Sequence, residues 1–543
     1  MAKRRRLSKK KQKSTFQPVL KWAGFAVAAV AIVCGAFWGI PKIIGLVSTI
    51  EVPKFDAKTS DAKFDVGPDT TKITGPLRAG TKIDYLAAMN EKYGAGVTSE
   101  TNRAVSFMRI AGTGIKEDAA HKELLNLLGD GSIVRQPQKP LNLKERGDNA
   151  LLRELNAASV KPWDRTSRQR LAEWLDEVDA DLDSLAESLR QPHFHIPLVA
   201  QSMSRTGPIV CPVTSAVFPS PASNLTLAKV FSVRAMYRAG NGNSAGAVDD
   251  VVTQLTFARL MQKQPATIER FVGISSEFLA AYCAQGLVNS GVLDAGETQR
   301  LIAGIEQLPL PIPFADQIDE YTRYMVLDIV QETASEGFTA LGLAMQGNGI
   351  QPSAQLAGLE QRSYDWNEAL RTVNSNFDIA VEGCRQANYG EAKRRLSEYD
   401  RDLRERISAD MTGPSSADAK KNGRLIGNLI TTMFKDPEAV SLGGDVRNQV
   451  LIDLTLAGAR LSLRRLQGEE LPDSLDGFRE VILLNEDPFT QEPLQYERRG
   501  GWLLVYSVGP NETRDGAPRK VDDVGLVFKL LENPIAPSPL EVD

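Results

Sequence analysis

Three aspartates at alternate positions, Asp179, Asp181 and Asp183, have the spacing with which an EF-hand calcium loop begins. Such a loop needs a glycine at its sixth position and a glutamate at its twelfth, where this chain has Ser184 and Arg190. Apolar residues in the same segment recur at intervals of three and four, which predicts an amphipathic helix. We therefore assign the three aspartates to the charged face of that helix.

Histidine is scarce, since His121, His193 and His195 are the only three in the chain. His193 and His195 alternate as zinc ligands sometimes do on a strand, but a zinc site would need further cysteine or carboxylate ligands. A polar loop that leads into Pro197 is the simpler interpretation.

Beyond the N-terminal apolar run there are three cysteines, Cys211, Cys283 and Cys384. They are too few and too widely spaced for a disulfide framework, so at most one pair can form. The sequence does not decide whether that pair forms.

The motifs of a zinc protease (H-E-x-x-H) and of a phosphate-binding glycine loop are absent from the chain. Paired carboxylates such as Asp249 and Asp250 are abundant, and we expect them mostly on solvated faces. The alternative to carboxylates without a catalytic role is an extracytoplasmic hydrolase, in which folding brings two carboxylates together. A pocket with two carboxylates about 5 to 10 Å apart would favour that alternative.

An apolar run of 19 residues without a charge, Trp22–Ile40, lies between Lys21 and Lys42. As a helix it would just cross a hydrocarbon core of about 30 Å. Residues 1–21 carry nine basic and no acidic side chains, which favours a cytoplasmic tail. We therefore expect a single-pass anchor over residues 22–48 in the inner membrane, with the remainder of the chain in the periplasm.

A cleaved signal peptide has the same order of basic and apolar segments and is the competing interpretation. The apolar run is longer than the usual core of a signal peptide. In addition, Gly39-Ile40-Pro41-Lys42 does not have the small-x-small pattern of a cleavage site. Both features favour an uncleaved anchor.

Charge is distributed unevenly along the chain. It has 64 lysines and arginines against 68 aspartates and glutamates, so without the nine basic residues of the tail 55 face 68. This acidic remainder argues against binding to nucleic acid. Residues 49–80 contain Pro53, Pro68 and Pro76 and few large apolar side chains, which predicts a loosely ordered linker.

Residues 81–440 have the pattern of a helical ectodomain, with one body or two subdomains. The segments with the clearest helical periodicity are residues 166–190, 225–239, 245–262, 267–288, 294–308, 316–331 and 366–387. Asp294 and Glu297 have the spacing of a capping box. The stretch 225–287 resembles a tetratricopeptide-type hairpin, and an irregular helical domain is the alternative because no 34-residue period is sustained.

The sequence pattern of residues 441–543 predicts an α+β module with a small antiparallel sheet. A helix over residues 449–466 precedes three strand-like stretches at residues 494–497, 502–508 and 524–530. Gly500-Gly501 should turn the first two strands into a hairpin. The predicted fold is thus mainly α, with an N-terminal transmembrane helix, a helical-hairpin ectodomain and this terminal module.

The terminal module resembles the globular part of the major pseudopilins of type II secretion. The matching residues are Arg464–Gly468, Pro472 with Leu475, Asp487-Pro488-Phe489, Pro493–Tyr496, Tyr506–Gly509 and Asp522-Asp523. The resemblance covers about a fifth of the chain. It does not extend to the prepilin-peptidase motif, because Lys21–Phe25 lacks the glutamate that follows the cleavage site in that family.

In pseudopilins the loop after the Ser-x-Gly strand binds calcium through carbonyl and carboxylate oxygens, as a hard cation requires. The resemblance therefore implies a calcium site formed by Asn511, Asp515, Asp522 and Asp523. Arg514, Arg519 and Lys520 lie among these residues and would oppose a cation, so a solvated acidic loop is the alternative.

Most of the ectodomain is similar to large uncharacterised single-pass membrane proteins of planctomycete-type bacteria. The segments that carry this similarity are Asp84–Asn90, Gly96–Thr98, Phe194–Leu198, Arg234–Met236 and Asp365–Asn367. The family implies a bacterial envelope protein and supplies no catalytic residue. The sequence thus favours a non-enzymatic binding or scaffolding protein with a protein partner in the envelope, and a component of a secretion or pilus-like assembly is a further alternative.

Overall fold

The computed structural model describes residues 64–78, 82–136, 149–189, 193–202, 210–219, 221–350, 358–412, 417–484, 486–515 and 523–530. The described chain is mainly helical, with a small antiparallel sheet near the C-terminus. This confirms the predicted fold class at that level. The predicted cytoplasmic tail (1–21) and transmembrane anchor (22–48) lie outside the described residues.

The described residues between 64 and 306 form two short β-hairpins and nine helices. The helices are α1 (Tyr85–Tyr93), α2 (Arg103–Ala111), α3 (Asp118–Leu128), α4 (Asn149–Ala157), α5 (Gln169–Ser188), α6 (Pro221–Gly240), α7 (Ser244–Met261), α8 (Thr267–Ser290) and α9 (Ala295–Glu306). Strand β1 (Leu77–Arg78) pairs with β2 (Lys82–Ile83), and β3 (Val199–Ala200) pairs with β4 (Ala216–Val217).

The second part begins with a short helix that continues into a π-helical turn and ends with the sheet. Its helices are α10 (Phe314–Gln317), the π turn Ile318–Thr322, α11 (Arg323–Glu336), α12 (Phe338–Gly347), the 3-10 turn Leu359–Gln361, α13 (Trp366–Cys384), α14 (Tyr389–Met411), α15 (Ala419–Phe434), α16 (Glu438–Leu466) and α17 (Leu475–Phe478). The strands β5 (Gln495–Arg499), β6 (Trp502–Ser507) and β7 (Val524–Lys529) follow.

Side chains at the helix ends explain several element boundaries. The predicted capping box of α9 is present, because Asp294 accepts from the Glu297 backbone N–H and Glu297 accepts from that of Asp294.

The predicted helices at 225–239, 245–262 and 267–288 correspond to α6, α7 and α8, which pack on one another in sequence order. Gly273 permits the close approach of α7, since a Cβ atom there would lie 2.5 Å from the Ala258 carbonyl oxygen.

Residues 64–78 are part of the folded body, which corrects the predicted linker at 49–80. Thr70 and Thr71 are fully buried. Asn374 of α13 donates to the carbonyl oxygens of Asp69 and Thr70 at 3.1 and 2.7 Å. Arg78 pairs with the buried Glu332 of α11. The segment looks like a linker because it has few large apolar residues, but hydrogen bonds and ion pairs fix it instead.

The C-terminal sheet has the predicted strands in the order β5-β6-β7, all antiparallel. Gly500 and Gly501 form the predicted hairpin turn, both with positive φ (57° and 92°), as a type I′ turn requires. Asn289 of α8 covers the outer edge of β7, because its side chain donates to the Val527 carbonyl and accepts from the Lys529 N–H. Two of the open backbone groups of that edge strand are thereby paired.

The sheet and the helical body share one hydrophobic core. Leu503, Val505 and Leu526 of the sheet belong to the same buried cluster as Leu287 of α8 and Leu301 of α9. Helix α16 has 29 residues and begins before the predicted module boundary at residue 441. The terminal module is therefore packed onto the rest of the chain through α16 and α8.

One helix of the described residues, α8, is long and apolar enough to cross a membrane by length and composition. Within its most apolar window, 67% of the residues are buried inside the protein. It also contains Glu269, Arg270 and Glu277, all buried. These features are typical of a helix at the centre of a folded domain.

Candidate functional site

A hollow of about 160 Å³ lies where the ends of α1 and α3 meet the segment 193–197. The residues at its wall include Asn90, Thr98, Asn102, Leu128, His195 and Pro197. Its wall combines neutral polar groups with aliphatic side chains and includes no carboxylate. It therefore does not hold the pair of carboxylates that a hydrolase of the predicted kind would use.

Two asparagine side chains hold the segment 193–198 against the helices. Asn102, the N-cap of α2, accepts from the His195 backbone N–H at 3.0 Å and donates to the His195 carbonyl at 2.8 Å. Asn90 of α1 makes the equivalent pair with the backbone of Leu198, both at 2.8 Å. Each amide acts as a strand partner would, so a segment predicted as a polar loop is fixed in position.

The imidazole of His195 is the polar side chain of the hollow that is buried with an unpaired ring nitrogen. It is 6% exposed, and its Nδ1 has no hydrogen-bond partner among the described residues. Burial lowers the pKa of His195 to about 4, so the ring is neutral at pH 7. Gly94 leaves room for it, since a Cβ atom there would lie 3.1 Å from His195 Cδ2.

A neutral imidazole in this position can donate one hydrogen bond and accept one. With Leu128 and Pro197 on the same wall, the hollow suits a small uncharged group with a hydroxyl or carbonyl oxygen. His193 is exposed, and the described residues contain no group of three His, Cys, Asp or Glu that could hold a metal ion.

His195 should make the protein sensitive to acid. Its pKa is near 6.5 in the unfolded chain and about 4 in the folded protein, so the unfolded state binds the extra proton between these values. The contribution of the neutral His195 ring to the free energy of unfolding is fully present above pH 6.5. The free energy of unfolding falls by about 3 kcal/mol as the pH decreases from there through 4. We expect His195→Gln to reduce this loss, measured as the change in melting temperature between pH 7 and pH 4.5.

The exposed neighbour supplies the control for this experiment. His193→Gln should leave the acid sensitivity as it is in the wild-type protein. An equal reduction in both variants would contradict the assignment of the acid sensitivity to the buried ring.

The structure brings three of the four predicted calcium ligands together. Asn511 Nδ2 donates to Asp515 Oδ2 at 3.1 Å, and the Asp515 backbone N–H approaches Asp523 Oδ1 at 3.4 Å. Asp522 lies outside the described residues. Ser507 and Val508, whose carbonyls could also face a cation, donate to the buried carboxylate of Asp487 at 2.9 and 2.8 Å.

A buried ion network joins α5, α6 and α7, and sequence reasoning missed it. Arg234 contacts Asp250 at 2.5 Å, Asp179 at 2.8 Å and Asp183 at 2.9 Å. Arg238 contacts the same three carboxylates at 3.0 to 3.3 Å. Burial raises the pKa of Asp250 to about 6, although both arginines oppose the shift. The signal was the i, i+4 spacing of two arginines and of two aspartates.

Asp179 and Asp183 therefore lie on the charged face of α5, as predicted, and that face is turned toward two arginines. The prediction for the pair Asp249 and Asp250 is correct only for Asp249, which is exposed. Asp250 is buried.

A second buried acid, Glu269, lies in the first turn of α8. Neither of its carboxyl oxygens makes a well-formed hydrogen bond to a described residue. Burial raises the pKa of Glu269 to about 8, slightly opposed by the backbone of Ala266. Tyr321 of the π turn and Asp436 lie in the same region, where Asp436 accepts from the hydroxyl of Thr267 at 3.2 Å.

Sequence reasoning also passed over a G-x-S-x-G pattern at residues 242–246. In esterases with this motif the serine lies on a tight turn between a strand and a helix. Here Ser244 is the first residue of α7 and follows helix α6. Its hydroxyl donates to Glu297 at 2.7 Å, so it joins α7 to α9.

The three cysteines outside the N-terminal run are all buried and free. The one disulfide that the sequence left open is therefore not formed between them in this structure.

No protein-family model matches this chain, and no curated protein or solved structure is significantly similar to it.

Proposed function

We propose that this chain is a membrane-anchored binding or scaffolding protein of the bacterial envelope. The observation that carries the proposal is the uncharged run Trp22–Ile40 behind a tail with nine basic and no acidic residues. Positive charge at one end of such a run keeps that end in the cytoplasm. The helical body would then lie in the periplasm.

The described part of the chain begins at Phe64, close in sequence to the proposed anchor, which supports a location near the membrane. Residues 49–63 alone separate it from the proposed anchor, and 15 residues reach at most about 50 Å when fully extended. A scaffold in this position meets membrane and periplasmic partners alike. The hollow at His195 is the surface we assign to binding.

Protease added to intact spheroplasts tests the location. We expect the part of the chain beyond residue 48 to be degraded, and the intact protein to fractionate with membranes and to retain its original N-terminus. A control with the protease added after lysis shows that the sites are cleavable. A mature N-terminus beyond Pro41, or complete protection in intact spheroplasts, would contradict the proposal.

We also propose that Asn511, Asp515, Asp522 and Asp523 bind calcium. The contacts among Asn511, Asp515 and Asp523 support this, because they bring the side-chain amide of Asn511 and the carboxylates of Asp515 and Asp523 close together. Lys393 of α14 holds the same loop to the helical body through Glu512 at 2.7 Å.

A bound calcium ion should stabilise the folded chain. With free calcium at 100 times the dissociation constant, the gain is about 2.7 kcal/mol. We expect millimolar calcium to raise the melting temperature of the full chain and to have no such effect on Asp515→Asn. Equal melting temperatures with calcium and with a chelator would discard the site. The full chain is required because the terminal sheet shares its core with α8 and α9.

A further inference from the structure

The connection between α9 and α10 is an apolar segment, residues 308–313, in which Leu310 and Pro313 are exposed and the other four residues are half-buried. Its sequence is Leu308-Pro309-Leu310-Pro311-Ile312-Pro313. Leu310 is 81% exposed, more than any other large hydrophobic side chain in the part of the chain that the structure describes. An isolated exposed leucine needs no explanation, but one in the middle of a proline-rich segment suggests a recognition site.

The conformation of this segment follows from its sequence. Every one of its six residues is a proline or directly precedes one. Proline fixes φ near −65°, and the residue before a proline is driven out of the helical region into extended or polyproline II conformations. Pro313 has φ −55° and ψ 137°, close to polyproline II. The segment therefore presents its side chains from a stiff extended backbone.

Contacts at both ends hold the segment to the body. The Leu308 N–H donates to the Ile305 carbonyl at the end of α9. At the other end, Arg270 Nη1 donates to the Ile312 carbonyl at 2.6 Å, and its guanidinium lies 5.6 Å from the centre of the Phe314 ring. Arg270 is itself buried and paired with Asp445 of α16. Leu310 is thus displayed between two fixed points.

The backbone in the middle of the segment, residues 309–311, has three carbonyl acceptors and a single donor, the Leu310 N–H. Pro309 and Pro311 have no N–H group, and no described residue donates to the carbonyls of Pro309, Leu310 or Pro311. Such a segment cannot join a β-sheet as a regular strand. Its free acceptors and apolar side chains match a groove lined by aromatic residues whose Trp N–H and Tyr O–H groups donate.

We propose that residues 308–313 are a docking ligand for a protein whose groove is lined by aromatic side chains and binds polyproline II segments. The inference names the class of partner for the binding function proposed above and rests on that function. It does not depend on which side of the membrane the body occupies. Because the segment is already ordered, binding costs little conformational entropy.

Site-specific photo-crosslinking of the full chain in its native membranes tests this proposal. With p-benzoylphenylalanine in place of Leu310, we expect an adduct with a second, different protein. Mapping the crosslinked peptide should place it among tryptophan and tyrosine residues. A synthetic peptide of residues 307–314 should compete for the adduct. A peptide with the three prolines replaced by alanine, which keeps the apolar side chains but not the stiffness, should compete about tenfold less well.

The matched control is the same crosslinker at Leu483, an exposed leucine (68%) outside the segment. Its adducts, if any form, should not respond to the 307–314 peptide. The proposal would be overturned by the absence of an adduct at position 310, by an adduct with lipid or with a second copy of this chain, or by equal competition from both peptides. The topology experiment is read from protease access. Its failure can therefore be distinguished from each of these crosslinking outcomes.

Discussion

Asp250→Asn should destabilise the protein by about 3 kcal/mol or more, because it removes the buried partner of a buried arginine. The carboxylate of Asp250 is 2% exposed and contacts the equally buried Arg234 at 2.5 Å. Asparagine has nearly the same shape but no charge. The remaining partners of Arg234, Asp179 and Asp183, are about half exposed and can replace the lost charge only in part. Chemical unfolding of the purified full chain measures the effect.

The adjacent residue provides a control that changes the same charge in the same helix. The side chain of Asp249 is 62% exposed, and its ion pair with the half-exposed Arg300 has a distance of 3.7 Å. Pairs of this kind contribute between zero and about 1 kcal/mol. Asp249→Asn should therefore change stability by about 0.5 kcal/mol at most. Equal effects of the two substitutions would show that the buried network is not what stabilises α5, α6 and α7.

The contrast between Asp249 and Asp250 shows where sequence reasoning about this fold ends. Neighbouring residues on a helix point about 100° apart, so one can be buried while the other is exposed. Helix α7 lies between α6, α8 and α9, which leaves it a narrow exposed side. On such a helix a polar residue is buried wherever its position faces a neighbouring helix. Residue type alone therefore does not predict its exposure. The matching arginines on α6 are 12 and 16 residues from Asp250, whereas the aspartates on α5 are 67 and 71 residues from it.

Local features of the fold could be predicted because they depend on few neighbouring residues. The hairpin at Gly500-Gly501 needs two residues with positive φ, and the capping box of α9 needs only Asp294 and Glu297. The β-like stretches read from the sequence predicted β6 and β7 within one residue at either end. For the same reason the helices α6 to α8 were found from periodicity and from the turns between them.

The candidate site could not be predicted in the same way. Its hollow depends on Asn90 and Asn102, whose amide groups contact the backbone of residues about 100 positions away. Neither asparagine is distinctive in the sequence, and His195 looked like a polar loop residue. Residues 64–78 were missed for a similar reason, because their partners lie on α11 and α13, some 250 to 300 residues later.

Glu269→Gln should stabilise the protein at pH 8 and have much less effect at pH 5. Burial keeps the carboxyl of Glu269 protonated in the folded state up to a pKa of about 8, whereas the unfolded chain releases this proton near pH 4.5. Between these values the folded state binds the extra proton, so the stability of the wild-type protein falls as the pH rises. The loss across this window is several kcal/mol and at most about 5.

Glutamine has the shape of the protonated acid and does not titrate, so the variant escapes the loss. The measurement is the free energy of unfolding of both proteins at pH 5, 6.5 and 8, and Glu405→Gln on the exposed side of α14 is the matched control. A difference between wild type and Glu269→Gln that stays constant with pH would mean that Glu269 is already ionised in the folded state. In that case a cation or buried water would have to compensate its two oxygens, since no well-formed hydrogen bond from the described residues does.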